Sequence, residues 1–344
     1  MKEFTITASE SGQKCIKYCE KVLPAAGTGF LHKMLRKKNI TLNGKKSDGT
    51  ERLCVGDVVR FFFADETFDT FSRSPAGPKS SVNGQNKSHS ATCEVRPLDE
   101  NRIIYEDEHV LFYNKPVGIL SQKASPEDIS LNEMLLAYLT DKNKHEKDTV
   151  SKASICNRLD RNTSGLVICG KTYMGLRTMN ELIAQRTVGK YYHCIVTGQV
   201  RQSVSIRGYL KKDEKTNKVT ISKSPFEGSS YIETEIRPIV CGRDASLLEV
   251  HLITGKTHQI RSHLASLGHA IIGDYKYGNR QTNDRYRKKY GLKSQLLHAY
   301  RIVFPKMEAE FSFLSEKEFI APKPDLFTRI EKEEIHGNVE FQRS

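Results

Sequence analysis

An α+β protein is predicted by this sequence: a mainly antiparallel central sheet decorated with helices, preceded by a small N-terminal unit. Three observations carry that expectation. At 344 residues the chain suits two folding units better than one. A stretch rich in Ser, Gly, Pro and Asn, densest between residues 72 and 92, buries too little apolar surface to offset its ordering entropy and reads as a flexible linker. Beyond it, strand-like and helix-like segments alternate, and the runs 231–240 and 247–253 alternate apolar with polar residues as half-buried strands do. The expected organisation is a unit at 1–63, a polar linker at 64–95, a large unit at 96–325 and a charged tail at 326–344.

The first unit reads as helical and closed by a hairpin. Cys15, Ile16, Cys19, Val22 and Leu23 recur at helical spacing. In the next segment Phe30, Leu31, Met34 and Leu35 share one helical face, while Lys33, Arg36, Lys37 and Lys38 crowd the remainder. Ile40-Thr41-Leu42 runs into Asn43-Gly44, a strong turn dipeptide, and residues 55–61 suit a final strand. The unit holds 12 Lys and Arg against 6 Asp and Glu. A basic helix taken alone is usually a solvated face. Gly27-Thr28-Gly29 lacks the upstream strand and third glycine that a dinucleotide loop requires.

In the large unit, Val110-Leu111-Phe112-Tyr113 is a strand entering the turn Asn114-Lys115-Pro116-Val117-Gly118. Residues 131–139 suit a helix and 141–148 a charged loop in solvent. Residues 173–185 read as a helix and 190–196 as a strand.

The balance of 54 Lys and Arg against 41 Asp and Glu gives a net charge of +13 and a pI near 9.2. That is the electrostatic footprint of a polyanion partner, and by itself it does not separate RNA from DNA or an anionic membrane. No apolar run approaches the roughly 20 residues that cross a bilayer, and the N-terminus lacks the long apolar stretch of a secretory signal. A membrane is therefore not an expected partner. Eight cysteines show no C-x-x-C spacing, and Cys169, Cys194 and Cys241 lie inside apolar runs, which fits reduced thiols in the cytoplasm. His258 and His263 are five apart, not the i,i+4 of a helical zinc pair, so no metal is expected.

The string Asn157-Arg158-Leu159-Asp160-Arg161-Asn162-Thr163-Ser164-Gly165-Leu166 sets one carboxylate between two arginines and feeds an apolar strand. Such a turn-rich stretch is how a rigid scaffold presents a side chain at a sheet edge. A lone Asp-Arg pair would ordinarily be a surface ion pair, but the whole string is specific. It closely resembles the central motif of RluA-type pseudouridine synthases, H-R-L-D-x-x-T-S-G, with Asn157 in place of His. Three further segments resemble the same family in the same order. Lys190-Tyr191-Tyr192-His193-Cys194-Ile195-Val196-Thr197-Gly198 is similar to its K-x-Y-x-x-x-V-x-G strand. Residues 254–264 are similar to T-G-R-x-H-Q-I-R-x-H-L, with Lys256 for Arg. Residues 268–274 are similar to G-H-P-I-x-G-D, with Ala270 for Pro.

The resemblance implies an isomerase that converts uridine in RNA to pseudouridine, with Asp160, Tyr192 and Arg261 as its catalytic set. Breaking the bond from ribose to uracil develops positive charge on the sugar, and a fixed carboxylate stabilises that charge, attacks the sugar or takes a proton from it. Asp160 would be that group, with Arg261 as the cation that keeps it ionised. Tyr192 would offer a flat face and a phenol to the extruded base. Ile260 and Leu264 would clamp its other face, and Arg158 would fill the vacated space or bind phosphate. His258 and His263 read as structural hydrogen-bonders. An isomerisation calls for no cofactor and no metal.

The order of helix, basic helix, turn and strand in residues 1–63 resembles the small αL RNA-binding module of a ribosomal protein, which implies that Lys33, Arg36, Lys37 and Lys38 grip RNA. The combined arrangement resembles enzymes of the large ribosomal subunit, so the implied partner is 23S-type rRNA before or during ribosome assembly, with no obligate protein partner. A tRNA pseudouridine synthase and a non-catalytic RNA-binding or assembly factor stay open as alternatives.

Overall fold

The computed structural model describes residues 1–7, 10–72, 95–125, 127–142, 153–213, 216 and 218–336. The N-terminal unit comprises β1 (Lys2–Thr5), α1 (Cys15–Val22), α2 (Thr28–Arg36), β2 (Ile40–Leu42), β3 (Val58–Phe61) and α3 (Asp65–Ser72). Its strands form an antiparallel sheet in the order β1-β3-β2. Leu31, Met34 and Leu35 of α2 are buried against it, while Lys33, Arg36, Lys37 and Lys38 are exposed. Asn43 and Gly44 take left-handed φ values of 50° and 72°, as the turn requires. Leu42 and Lys45 pair directly across it, and the strand that pairs with β2 along its length is β3, reached through residues 45–57.

The boundary expected at residue 63 lies further on. Helix α3 occupies the start of the segment read as linker, and its Phe68 is buried, 6.1 Å from the Phe4 ring and 5.7 Å from that of Phe61. Phe71 adds a contact with Phe30 at 4.9 Å. The remainder of the expected linker, 73–94, lies outside the described residues.

The large unit continues with β4 (Ile103–Glu106), β5 (Val110–Lys115), α4 (Leu131–Lys142), β6 (Ser154–Ile155), β7 (Ser164–Gly170), α5 (Tyr173–Ala184), β8 (Gly189–Thr197), β9 (Val204–Lys212) and β10 (Val219–Ser222). Then come β11 (Ser230–Cys241), β12 (Ala245–Leu252), α6 (Gln259–Ser266), α7 (Arg280–Tyr290), β13 (Leu297–Val303), β14 (Glu318–Ile320) and α8 (Asp325–Ile330). Eleven strands make one sheet in the order β10-β9-β11-β12-β8-β13-β7-β5-β4, with β14 on β13 and β6 on β7. Every pairing is antiparallel except β13 with β7, which run parallel through His298↔Ser164 and Ala299↔Gly165. The fold is α+β with a mainly antiparallel sheet. Strands β5 and β7 are buried on both faces, which is why they read as continuous apolar runs. Leu111, Tyr113, Val167 and Cys169 face one core; Val110, Phe112, Leu166 and Ile168 face the other.

Two further boundaries differ from expectation. Helix α4 runs on to Lys142, taking in the first two residues of the charge run; 143–152 lie outside the described residues. The expected tail at 326–344 is folded as far as His336: α8 and the turn after it bury Phe327, Ile330 and Ile335 against Tyr286, Tyr290 and Leu292.

Candidate active site

The loop carrying Asp160 leads into β7, and each residue of its signature has a mechanical task. Thr163 Oγ1 accepts from Gln295 Nε2 at 3.1 Å, and Ser164 Oγ meets His298 Nδ1 at 2.9 Å, tying the loop to β13. Gly165, at φ +113°, lets β7 approach β13 so closely that an added Cβ would lie 2.2 Å from the Ala299 carbonyl oxygen. The departure at Asn157 is satisfied in place: it accepts from Ile168 N–H at 2.7 Å and donates to the Leu166 carbonyl at 3.3 Å. On the other side, Ser121 Oγ donates to Leu159 O at 2.8 Å and accepts from Leu159 N–H at 2.9 Å. Lys115, fully buried, donates from Nζ to the carbonyls of Pro116, Ile119 and Arg161. Burial pulls its pKa down to about 7 against the opposing charge of Asp160, while three carbonyl acceptors match the three donors of an ammonium.

Arg261 reaches Asp160 from α6. The entry to that helix is fixed by Gln259, whose Oε1 accepts from Thr254 Oγ1 and Lys256 N–H. Its Nε2 donates to Glu233 O and Thr234 Oγ1. Arg261 donates from NH1 to Asp160 Oδ2 at 2.8 Å. Its remaining edge forms a two-point pair with Asp274, Nε to Oδ2 at 2.6 Å and NH2 to Oδ1 at 2.9 Å. Burial works against the guanidinium, and the Asp274 and Asp160 carboxylates more than offset it, holding its pKa up. Asp274 is itself positioned by Gly273, whose φ of +85° admits Ser294 O within 2.2 Å of any Cβ there, and by Asn283, which bonds Gly273 N–H and Asp274 O.

Asp160, Arg158, Tyr192, Ile260 and Arg261 line one small pocket of about 80 Å³, together with Leu252, His258 and Leu297. It opens into a groove of about 680 Å³. Tyr192, on β8, is 6% exposed, and burial followed by the Asp160 charge raises its phenol pKa, so the hydroxyl stays protonated at neutral pH. Arg158 is exposed at the rim. Leu264 departs from the expected clamp: it is 1% exposed, packs in the core and does not line the pocket, because the next helical turn carries it beneath Ile260. Leu252 and Leu297 provide apolar wall instead. Lys33, Arg36, Lys37 and Lys38 belong to the N-terminal unit and do not line this groove.

His263 is structural, fully buried with Nδ1 2.8 Å from Thr234 Oγ1. His258 lies nearer the chemistry than expected: left-handed at φ 55°, it stands 3.9 Å from Asp160 Oδ2 and 2.9 Å from the Tyr277 hydroxyl. Burial lowers its pKa against the pull of Asp160, which favours the neutral imidazole. Asp274 and Lys115 escaped the sequence reading as site residues, although Asp274 stands inside a motif-matched segment and Lys115 in a turn the sequence marks.

An RNA pseudouridylate synthase family profile matches residues 109–266. An uncharacterized RNA pseudouridine synthase of Mycoplasma genitalium is 31% identical over 309 residues, spanning 89% of this chain and 90% of that one. The chain belongs to the RNA pseudouridine synthase family. The ribosomal large subunit pseudouridine synthase C of Vibrio cholerae is 28% identical to this synthase, over 86% of its length and 85% of that protein's. The solved structure of human RNA pseudouridylate synthase domain containing 4 shares the fold, with a TM-score of 0.54 at 21% identity over 67% of this synthase and 92% of that chain. Among the described residues, no helix is long and apolar enough to cross a membrane.

Proposed function

We propose that this synthase isomerises a flipped-out uridine of large-subunit ribosomal RNA in the cytoplasm, with Asp160 as the catalytic carboxylate. One observation carries the reading. Asp160 Oδ2 is held by Arg261, while the side chain remains 28% exposed at the pocket and Oδ1 has no hydrogen-bond partner among the described residues. A carboxylate fixed on one side and free on the other suits a group that meets developing positive charge on a sugar. The bond from C1′ to N1 of uracil breaks, the base turns, C1′ joins C5, and the C5 proton is lost as N1 gains one. Atoms and electrons balance without a cofactor. Tyr192 and Ile260 bracket the space for the base, and the neutral Tyr192 phenol and His258 imidazole stand within reach of the migrating protons. Extruding the uridine costs a few kcal/mol, less in loops and bulges, and Arg158 at the rim is placed to occupy the gap or meet a phosphate. Exposed Lys33, Arg36, Lys37 and Lys38 would grip RNA through phosphates at a distance from the chemistry. The large-subunit assignment draws on the relative from Vibrio cholerae.

The test is pseudouridine mapping on an unmodified large-subunit rRNA transcript and on tRNA, with wild type and Asp160→Asn. Wild type is expected to modify the rRNA; the isosteric variant, still anchored through Arg261 and Asp274, is expected to bind within a few-fold and show no turnover. Turnover by Asp160→Asn overturns the catalytic role, and modification confined to tRNA overturns the substrate.

A further inference from the structure

Among the described residues two lysines are buried, Lys115 and Lys190, and they differ in one respect. Lys115 has a carbonyl acceptor for each of its three donors. Lys190 is 9% exposed, yet among the described residues its ammonium has neither a hydrogen bond nor a carboxylate partner. The nearest charge acting on it is another cation, Arg186, and burial together with that repulsion lowers its pKa. Its Nζ is not among the enclosed polar atoms without a partner, so it opens onto the groove, and a largely buried ammonium with no counter-charge is costly to keep. Such a group persists where a ligand completes it.

The location says what kind of ligand. Lys190 lies on β8 two residues before Tyr192, so both point to the same side of the sheet, about 6.6 Å apart along the strand. It lines the groove outside the pocket, close to the backbone of Gly255: a Cβ there would sit 4.0 Å from Nζ. Lys123, Arg158, Arg161, Lys212 and Lys256 line the same groove, and its one carboxylate, Asp160, is already paired with Arg261. Among the described lining residues none is left to neutralise Lys190, and an RNA substrate entering the groove brings the charge that would. In RNA, every nucleotide brings one phosphate.

We propose that Lys190 is a phosphate-binding residue of the substrate groove, its ammonium taking a backbone phosphate of the RNA within one nucleotide of the base held against Tyr192. The inference rests on the proposed seating of the uridine beside Asp160. Within the groove Lys190 is a charged anchor exposed only to what enters, whereas Arg158 at the rim is accessible throughout.

The experiment compares wild type, Lys190→Met and Lys190→Arg as full-length proteins on an unmodified large-subunit rRNA transcript, measuring thermal midpoint, Kd across a salt series, and turnover. Lys190→Met is expected to melt at or above the wild-type temperature, because it removes an uncompensated buried charge. It is expected to bind about tenfold or more weakly, as loss of a charge-assisted hydrogen bond implies. Its plot of log Kd against log salt should be shallower by roughly 0.7–0.9, the share of one phosphate. kcat/KM should fall with affinity while kcat at saturating RNA holds within a few-fold, and Lys190→Arg should restore the slope. An unchanged slope, or a lower melting temperature with unchanged affinity, overturns the proposal and makes Lys190 a structural residue. If wild type binds the transcript but modifies no uridine in it, the substrate assignment fails; a slope difference between wild type and Lys190→Met then still supports the phosphate contact, and its absence overturns that as well.

Discussion

Arg261 serves two carboxylates of unequal exposure: Asp160 retains 28% of its side-chain surface and Asp274 only 1%. The buried partner determines where the arginine sits, and the arginine then determines where Asp160 sits. Asp274 is therefore a positioning residue for the proposed catalytic carboxylate, with no contact to the pocket of its own. Replacing it with Ala strips the two-point pair from a buried guanidinium and leaves the N–H groups of Lys276 and Tyr277 without their acceptor. Breaking a buried pair in this way costs about 3–5 kcal/mol. We expect Asp274→Ala to lose that much stability in urea unfolding and most of its turnover, and Asp274→Asn, which keeps an oxygen acceptor, to lose less of both. Equal stability of the alanine variant and wild type would mean that Arg261 is held by other contacts.

Helix α3 shows how an element can be decided by two residues. Its sequence, Asp65-Glu66-Thr67-Phe68-Asp69-Thr70-Phe71-Ser72, is polar in six of eight positions and reads as the start of a linker. Phe68 and Phe71, three apart, nevertheless fall on one helical face and complete an aromatic cluster with Phe4, Phe30 and Phe61. Phe68→Ala should destabilise the N-terminal unit by about 3–5 kcal/mol, the usual cost of removing a buried aromatic ring. A fragment ending at residue 63 should accordingly fold less well than one ending at 72, as read by circular dichroism and thermal melting. Identical melting of the two fragments would leave α3 an ornament.

Among the buried histidines of the described residues, three, His193, His263 and His298, have pKa values that burial lowers to about 3, 4 and 4. The unfolded chain takes up protons near pH 6.5 and the folded chain does not until far lower, so folding excludes protons across that interval. Their stabilising effect is complete above about pH 6.5 and is lost as pH falls toward 4. At 1.36 kcal/mol per pKa unit, each contributes on the order of 3 kcal/mol. Urea unfolding between pH 7 and 4 should therefore show a steep loss of stability, less steep in His263→Gln. A flat profile would mean that the folded protein admits protons at these sites.

The sequence by itself picked out the segments that meet at the pocket. Asp160, Tyr192 and Arg261 stand in contiguous motifs whose turns, glycines and strand periodicity are local properties, legible wherever residues a few positions apart set the backbone. It also determined the antiparallel character of the sheet, because half-buried strands alternate in their own sequence. Only the tertiary structure decided what depends on partners far along the chain. Asp274 is thirteen residues from Arg261 but 114 from Asp160, and no spacing rule announces that one guanidinium joins all three. Leu264 reads as a wall of the pocket from its i,i+4 relation to Ile260, and the structure packs it in the core one helical turn beneath instead. The polar helix α3 reads as linker and the segment after residue 326 as a charged tail because their few apolar residues amount to little until another surface meets them. Burial is a property of two surfaces, and a sequence displays only one at a time.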